Sequence, residues 1–531
     1  MAEADDAGSP LISRRAQRGV LFAMCLALIL VVASVSALNL ALPDLAVDLG
    51  ADNTALTWIA DGYTVALAAL VLPLGAIGDR YGRKKILIVG TMVFGVGSLA
   101  ASFADTTSAL IGWRVVMGIG AAMIMPGTLS TITATFPPEQ RNRGVAIWSG
   151  FAAAGAIIGM LAAGSLLERW GWQSIFITSA AVAAVAAVAA ALLSPETRDE
   201  ARHRFDVVGA VATSVAVGTL VFAIIEGNDQ GWTTVPVLLA AAVCIAGFTV
   251  YAIQGLRTQH PLLDPHLFGL PGFRAGAVVV LTQFMAIFGF FFVGLQYLQL
   301  ILDYSPLTAA VALIPVAAVV LPTAALTPRL VSVIGLKLVM VIGLLLIAGG
   351  LVVVSRLTPD SGYPPFLLGL IVAGLGIGLA SSTGTSAIVG SLSQNKQGVA
   401  SAMNDTTREV GSAIGIAVMG SVFSSQYCEH LPDLSRLPEP AATAVRDSAA
   451  AGLATAERLG GAVGAHLESG VREALIDGMS ASMLSVAGVL LVAAAGCALK
   501  APRRQPEPAS ADHEPTNSTT NSVAREESPK Q

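Results

Sequence analysis

Fourteen stretches of about twenty predominantly apolar residues succeed one another along the chain, and this repetition fixes its solvent before anything else. A hydrocarbon core about 30 Å thick is crossed by about 20 helical residues, and lipid offers an exposed backbone no hydrogen-bond partner. Such segments therefore fold as helices that satisfy their own amides. The stretches cover 19–42, 56–78, 86–104, 108–131, 144–167, 174–194, 207–226, 235–256, 275–301, 306–328, 336–355, 365–391, 398–424 and 478–499. Their long unalternating apolar runs exclude a membrane β-barrel. Only 12% of the 531 residues are charged and 54% are hydrophobic, against about 25% charged in a soluble domain. The expected fold class is an all-α membrane protein.

A net charge of −5 says little about partners, because the position of each positive charge relative to the spans is what carries information. With the N-terminus inside, the cytoplasmic segments collect 22 of the 30 basic residues, Arg14, Arg15, Arg18, Arg80, Arg83, Lys84, Lys85, Arg141 and Arg143 among them. Outside fall Arg169, Arg356, Arg436, Arg446, Arg458 and Arg472, while Arg114 and Arg408 stay within spans. The positive-inside rule thus favours fourteen crossings with both termini cytoplasmic. The Arg-rich start reads as an uncleaved first helix, since further spans follow at once and no clear small-residue cleavage site precedes them. Cys25, Cys244 and Cys497 lie in spans and Cys428 lies alone in an outer loop, so neither a disulfide framework nor a metal cluster is expected. Residues 425–477 form a long extracytoplasmic loop with a helical look over 441–476, readable as a cap on the outer mouth or as an inert solvated hairpin. The 500–531 tail is rich in Pro, Ser, Thr, Asn and Glu, the composition of a disordered segment.

No Gly-x4-Gly-Lys-Ser/Thr loop cradles a nucleotide phosphate, and neither His-Glu-x-x-His nor Gly-x-Ser-x-Gly occurs, so no enzyme is expected. Transport would run on an ion gradient or downhill; a proton crossing a membrane potential releases about 2.3 kcal/mol per 100 mV. The motif that speaks for transport comes directly after the second span: Gly75-Ala-Ile-Gly78-Asp79-Arg80-Tyr-Gly82-Arg83-Lys84-Lys85. Gly75 and Gly78 permit close helix packing, Gly82 turns the chain, and the basic residues hold the loop in the cytoplasm. Asp79 is placed to interact with the positive N-terminus of a facing helix in one conformation and to release it in another. The bland alternative is that the basic residues only set topology.

With these residues in view, the chain resembles the 14-helix drug:proton antiporters of the major facilitator superfamily, the group of bacterial multidrug and quaternary-ammonium efflux pumps. Besides the hinge, the likeness rests on Ala41-Leu42-Pro43 closing the first helix, Trp58-Ile59-Ala-Asp61-Gly-Tyr63 opening the second, and Arg114-Val-Val-Met-Gly118-Ile-Gly120 in the fourth. Tyr297-Leu298-Gln299 with Tyr304-Ser305-Pro306 near the end of the ninth, and Arg408 in the thirteenth, complete it. A weak internal repeat places Pro328-Arg329-Leu-Val-Ser332-Val-Ile-Gly335-Leu-Lys337 where the hinge stands in the first half, Gly335 matching Gly82 and Ser332 replacing Asp79. The resemblance implies a major facilitator fold: a tail 1–18, a six-helix bundle 19–194, two inserted helices within 195–274, and a second bundle 275–499 that includes the 425–477 loop. Rocking of the bundles about a midplane cavity would give alternating access. The chain departs from the family pattern at Ser34, where relatives carry an acid nine positions before Pro43. It departs again at Met160, in place of the proline of the helix 5 antiporter motif, and at Met117, in place of a glutamine.

Ionisable residues within spans are costly and usually face a cavity or a partner, so they are the candidates for proton coupling and substrate. These are Asp61, Arg114, Asp405, Arg408 and Glu409. Asp61 reads either as a coupling acid or as an exposed acid lining the mouth, about 8 Å deep at about 1.5 Å per residue. Asp405 and Glu409 are four apart and share a helix face, with Arg408 beside them as partner in coupling or in a simple internal salt bridge. The hinge residues Gly75, Asp79, Arg80, Gly82, Arg83 and Lys84 are the gating candidates. Gln283, Gln296 and Gln299, among Phe284, Phe288 and Phe292, are the cavity candidates, though packing against lipid explains the aromatics equally well. The function the resemblance implies is proton-coupled export of lipophilic or cationic toxic compounds across a bacterial cytoplasmic (inner) membrane. The alternatives are export of an endogenous metabolite or lipid, and a non-transporting receptor or enzyme on the same scaffold. Expected partners are the small substrate, protons and membrane lipid; no cofactor, metal or nucleic acid is implied, and a monomer is the family expectation.

Overall fold

The computed structural model describes residues 14–197, 205–258, 261, 264–392, 397–435 and 437–502. Most of the N-terminal tail, the linker arginines Arg198, Arg202 and Arg204, Lys396, Arg436 and nearly all of the 500–531 tail lie outside the described residues. The chain is a succession of helices: α1 (Arg14–Asp48), α2 (Asn53–Tyr81), α3 (Arg83–Ala101), α4 (Thr107–Thr135), α5 (Pro138–Trp170), α6 (Gln173–Leu193), α7 (Val207–Asp229) and α8 (Val235–Arg257). There follow α9 (Pro271–Gln296), α10 (Pro306–Ala312), α11 (Ile314–Ile334), α12 (Leu336–Val354), α13 (Tyr363–Gly390), α14 (Gln397–Glu429), α15 (Glu439–Asp447), α16 (Ala449–Leu459) and α17 (Gly461–Lys500). Among the described residues there is no strand.

Twelve helices among the described residues are long and apolar enough to cross a membrane. The fifth and thirteenth apolar stretches fall in α5 and α14, each 33 residues long. Large apolar side chains such as Val96, Val185, Leu239, Val333 and Val492 remain exposed on the periphery, a surface that only lipid or another apolar phase would cover without cost. Polar caps start several helices where the first amides have no partner within the helix. Asp52 accepts from the Ala55 amide at 2.6 Å, Asp206 from Gly209 at 2.9 Å and Ser305 from Thr308 at 3.3 Å.

The structure departs from the sequence expectation in two local ways. Pro43 does not close the first helix, since α1 runs on to Asp48 with the proline inside it. The stretch 306–328 lies in one membrane-length segment, Pro306–Ile334, but a turn at Leu313 divides it into α10 and α11. The helical look of 441–476 is matched by helix in much of the loop: α15, α16 and the start of α17 fold back so that α16 packs against α17 and α1, and the Tyr427 hydroxyl donates to the Val445 carbonyl at 2.7 Å.

The long helices pack in two groups. Within the first, α2 and α3 pack on α4, α1 on α5, and α3 on α6; within the second, α12 and α11 pack on α13, and α9 and α17 on α14. The pair α7–α8 lies between, with α7 against both α2 and α14. The Ser214 hydroxyl donates to the Ala69 carbonyl of α2 at 2.7 Å, and the Ser421 hydroxyl of α14 donates to the Ile224 carbonyl of α7 at 3.0 Å. Side-chain contacts between the groups gather toward the end of the molecule that carries α15 and α16. There a side chain at Gly164 would meet the Leu307 backbone, Ser305 donates to Glu168 at 2.6 Å, and Gly420 backs onto Thr57 and Phe292.

Candidate functional site

The first cluster lies at the crossing of α2 and α4. A side chain at Gly118 would strike the Tyr63 carbonyl and Ala66, so glycine there lets the two helices touch and brings Arg114 under α2 one turn away. Arg114 is 1% exposed. Its Nε donates to the Ile59 carbonyl at 3.0 Å and an Nη to the Ala60 carbonyl at 3.2 Å, while the guanidinium lies 4.6 Å from the centre of the Tyr63 ring. The Tyr63 hydroxyl in turn donates to the Val31 carbonyl at 3.2 Å, tying α1 into the same cluster. Asp61 is 0% exposed, buried within the protein rather than lining an open mouth. Thr64 donates to its Oδ1, and its Oδ2 has no hydrogen-bond partner among the described residues. A buried carboxylate oxygen without a donor is costly; a bound proton or cation would relieve that cost.

The second cluster stands on α14, facing α9. Asp405 and Glu409 are both buried, one helical turn apart. Arg408 approaches the Asp405 carboxylate at 3.8 Å and lies 4.6 Å from the centre of the Phe284 ring of α9. Glu409 lies within electrostatic range of Arg408 and Asp405. The two clusters face one seam, because α2 and α14 pack together through Val65, Ala68, Val410, Ala413 and Ala417, and Glu409 lies within electrostatic range of Tyr63.

The three glutamines divide. Gln283 is buried, its Nε2 bonded to Ser381 of α13 and its Oε1 without a partner among the described residues. Gln296 turns its amide back to the Phe292 carbonyl at 3.1 Å, so that donor is used within its own helix. Gln299 sits in a π-turn over Tyr297–Ile301, with a buried Nε2 that likewise finds no acceptor among the described residues. A π-turn inserts one residue and rotates the side chains beyond it, a distortion frequent where function needs a side chain re-aimed.

At the hinge the chain turns in a single residue. Gly82 has φ 118°, a backbone conformation that side chains disfavour, and its amide donates to the Gly78 carbonyl at 2.9 Å. Gly335, between α11 and α12, has φ 86° and donates to Val331 at 3.0 Å, so the weak repeat has matching geometry. Asp79 pairs with Arg83 at 2.7 Å and keeps 46% of its side chain exposed. Gly75 packs on Pro126 of α4, and Arg80 lies 5.6 Å from the Tyr81 ring centre. The hinge is also held by the segment just after α6: the Lys84 amide donates to Glu196 at 3.3 Å and the Arg83 amide to the Thr197 carbonyl at 2.9 Å. A Cβ at Gly82 would come within 2.5 Å of a Glu196 oxygen. The Glu196 carboxylate, at the end of a flexible side chain, can move aside, so Gly82→Ala is expected to cost roughly 1 kcal/mol of backbone strain and to lower the apparent Tm of the purified protein by a few degrees in a thermal-shift measurement.

Some of these partners carry no local sequence signal. Glu196 is remote from the hinge in the chain, as is Ser381 from Gln283. Glu226 of α7 accepts from the Trp58 indole at 2.7 Å across a similar separation. Thr64 is the exception, since its spacing of three from Asp61 on a helix announces the contact.

Residues 24–416 match the Major Facilitator Superfamily. Among curated proteins, the chain is 29% identical to "Multidrug efflux pump LfrA" of Mycolicibacterium smegmatis over 92% of this chain and 97% of that one. It is 31% identical to "Tetracenomycin C resistance and export protein" of Streptomyces glaucescens over 94% of each. It is 32% identical to "Methyl viologen resistance protein SmvA" of Salmonella typhimurium over 86% of this chain and 93% of that one. The fold is also similar to a crystal structure of a bacterial homologue of the human lysosomal transporter Spinster in an inward-facing, unoccupied conformation. That likeness has a TM-score of 0.66 at 17% identity and covers 92% of this chain and 97% of that one.

Proposed function

The chain belongs to the major facilitator superfamily, within its bacterial drug-efflux group, and on that premise we propose that it exports lipophilic or cationic toxic compounds in exchange for protons. The observation that carries the coupling is the placement of three buried carboxylates, Asp61, Asp405 and Glu409, at a seam between helices of the two groups, with Arg114 and Arg408 beside them. Three acids and two guanidiniums leave one negative charge to be neutralised in a medium where charge is expensive. One proton or one monovalent cation does so, and occupancy by either discourages the other. That mutual exclusion is the requirement of an antiporter.

Rocking of the two groups about this seam exposes it alternately to the two sides. The contacts between groups gather at the end bearing α15 and α16, with the hinge at the opposite end. With the hinge placed in the cytoplasm, as the distribution of basic residues favours, the seam opens inward. In this arrangement Asp79 pairs with Arg83, and closure of the groups would offer it a facing helix as an alternative partner. A monomer in the cytoplasmic membrane, both termini inside, suffices for this cycle.

The test uses the full chain in liposomes with an imposed proton gradient and ethidium as the fluorescent cation. Uncoupler-sensitive accumulation against the ethidium gradient is the expected result. No movement of ethidium by protein shown to be folded would sink the reading and favour export of an endogenous metabolite or lipid, to be sought by substrate screening.

A further inference from the structure

We propose that Arg408 is a tethered cation that occupies, in the substrate-free protein, the place taken by the positive group of a substrate. The inference rests on the reading of the chain as an exporter of cations and names the residue that sets its selectivity.

Both span arginines lie 4.6 Å from an aromatic ring centre, yet they are held differently. Arg114 is fixed by two hydrogen bonds to backbone carbonyls. The Nε of Arg408 is buried without an acceptor among the described residues, and its carboxylate contact to Asp405 is 3.8 Å, beyond the roughly 2.7–3.2 Å of an N–H···O hydrogen bond. A guanidinium carries five N–H donors in a planar fork, so Arg408 is poorly satisfied where it sits. Its side chain also keeps 23% of its surface accessible, where Arg114 is sealed in.

The contacts that Arg408 does make are those an organic cation would seek. A ring face attracts positive charge through its quadrupole, and Phe284 presents that face. Phe284 stacks on Phe288 with ring centres 6.1 Å apart, and Phe288 meets Phe291 edge-on, so an aromatic row continues along α9 for the apolar body of a ligand. Asp405 and Glu409 supply the carboxylates. A lipophilic cation lying on Phe284 displaces the guanidinium and takes over its interactions, so every cationic substrate competes with an internal one. Neutral molecules that use only the aromatic row do not.

The experiment measures tetraphenylphosphonium binding to the purified full chain by calorimetry, with neutral N-phenyl-1-naphthylamine as a second probe. Arg408→Gln removes the competitor and is expected to bind tetraphenylphosphonium about tenfold more tightly, within the range of a desolvated cation–ring contact. Its affinity for the neutral probe is expected to match that of the wild type. Phe284→Leu is expected to bind the cation several-fold more weakly. Unchanged or weaker cation binding by Arg408→Gln, with the neutral probe bound normally, would overturn the proposal and leave Arg408 as an internal ion-pair partner. Should Arg408→Gln fail to fold, Arg408→Lys decides: an ammonium lacks the flat fork that covers the ring, so a few-fold gain is expected and its absence overturns the tether. Wild-type protein that binds no tetraphenylphosphonium would remove the export-of-cations reading and this inference together, whereas wild-type binding without a gain in the variants sinks the tether alone.

Discussion

Replacing Arg114 by alanine is expected to lower proton-driven ethidium accumulation at least tenfold while leaving the amount of protein in the membrane nearly unchanged. The guanidinium makes two hydrogen bonds to α2 carbonyls and one ring contact to Tyr63. Hydrogen bonds to a charged group contribute about 1.5–3 kcal/mol each, and a desolvated cation–ring contact about 2 kcal/mol. These interactions are lost together, but the helix crossing itself does not depend on them. It is held by the close approaches at Gly118, against Tyr63 and Ala66, and at Gly75, against Pro126. The alanine variant loses the guanidinium of the α2–α4 crossing, which Asp61 faces electrostatically, and with it the cation contact to the Tyr63 ring. Arg114→Lys keeps a charge without the planar fork and is expected to fall between wild type and alanine. Equal accumulation in all three proteins, at equal membrane levels, would remove Arg114 from the transport site.

How far the sequence alone foretells this arrangement depends on whether the determining contact is local. The spans, the hinge and its repeat are local features: an apolar run long enough to cross lipid has one solution, and a glycine between two helices at matching positions announces a positive φ, as Gly82 and Gly335 adopt. The burial of Asp61 is not local. Counting residues from the start of α2 puts it near a surface, but α4 closes on it from one side, and the outer end of α2 is covered where Gly420 of α14 backs onto Thr57. Gln296 shows the converse. Its position in the sequence groups it with Gln283 and Gln299, but an amide has a near carbonyl available four residues back, and Gln296 uses it. The break at Leu313 does have a local signal, since Pro315 opens α11 and proline supplies no amide to continue a preceding helix; α1 by contrast carries Pro43 within it. The residues of the site are thus legible as types, acids and arginines in spans, whereas their partners across helices are legible only in three dimensions.

The other large effect is expected at Glu409. Glu409→Gln preserves the shape and polarity of the side chain and removes its ability to exchange a proton, so accumulation of ethidium under a proton gradient is expected to fall to the level of empty liposomes. Binding of ethidium to the purified variant is expected to persist, because Asp405 and the Phe284 ring remain on the same seam. The charge count accounts for the separation. With Asp61, Asp405 and Glu409 present, the two arginines leave one negative charge that a proton or a cation must neutralise before the site can cross the membrane interior. With glutamine at 409 the count is already balanced, and the empty site crosses without taking a proton; this forfeits the roughly 2.3 kcal/mol that each proton supplies per 100 mV. Asp405→Asn should behave differently. Asp405 is the carboxylate nearest Arg408, at 3.8 Å, and its loss removes a cation contact as well as a charge, so both binding and accumulation are expected to decline. A Glu409→Gln protein that still accumulates ethidium in an uncoupler-sensitive manner would place the coupling proton elsewhere on the seam, with Asp61 and its unpartnered oxygen as the remaining acid to test.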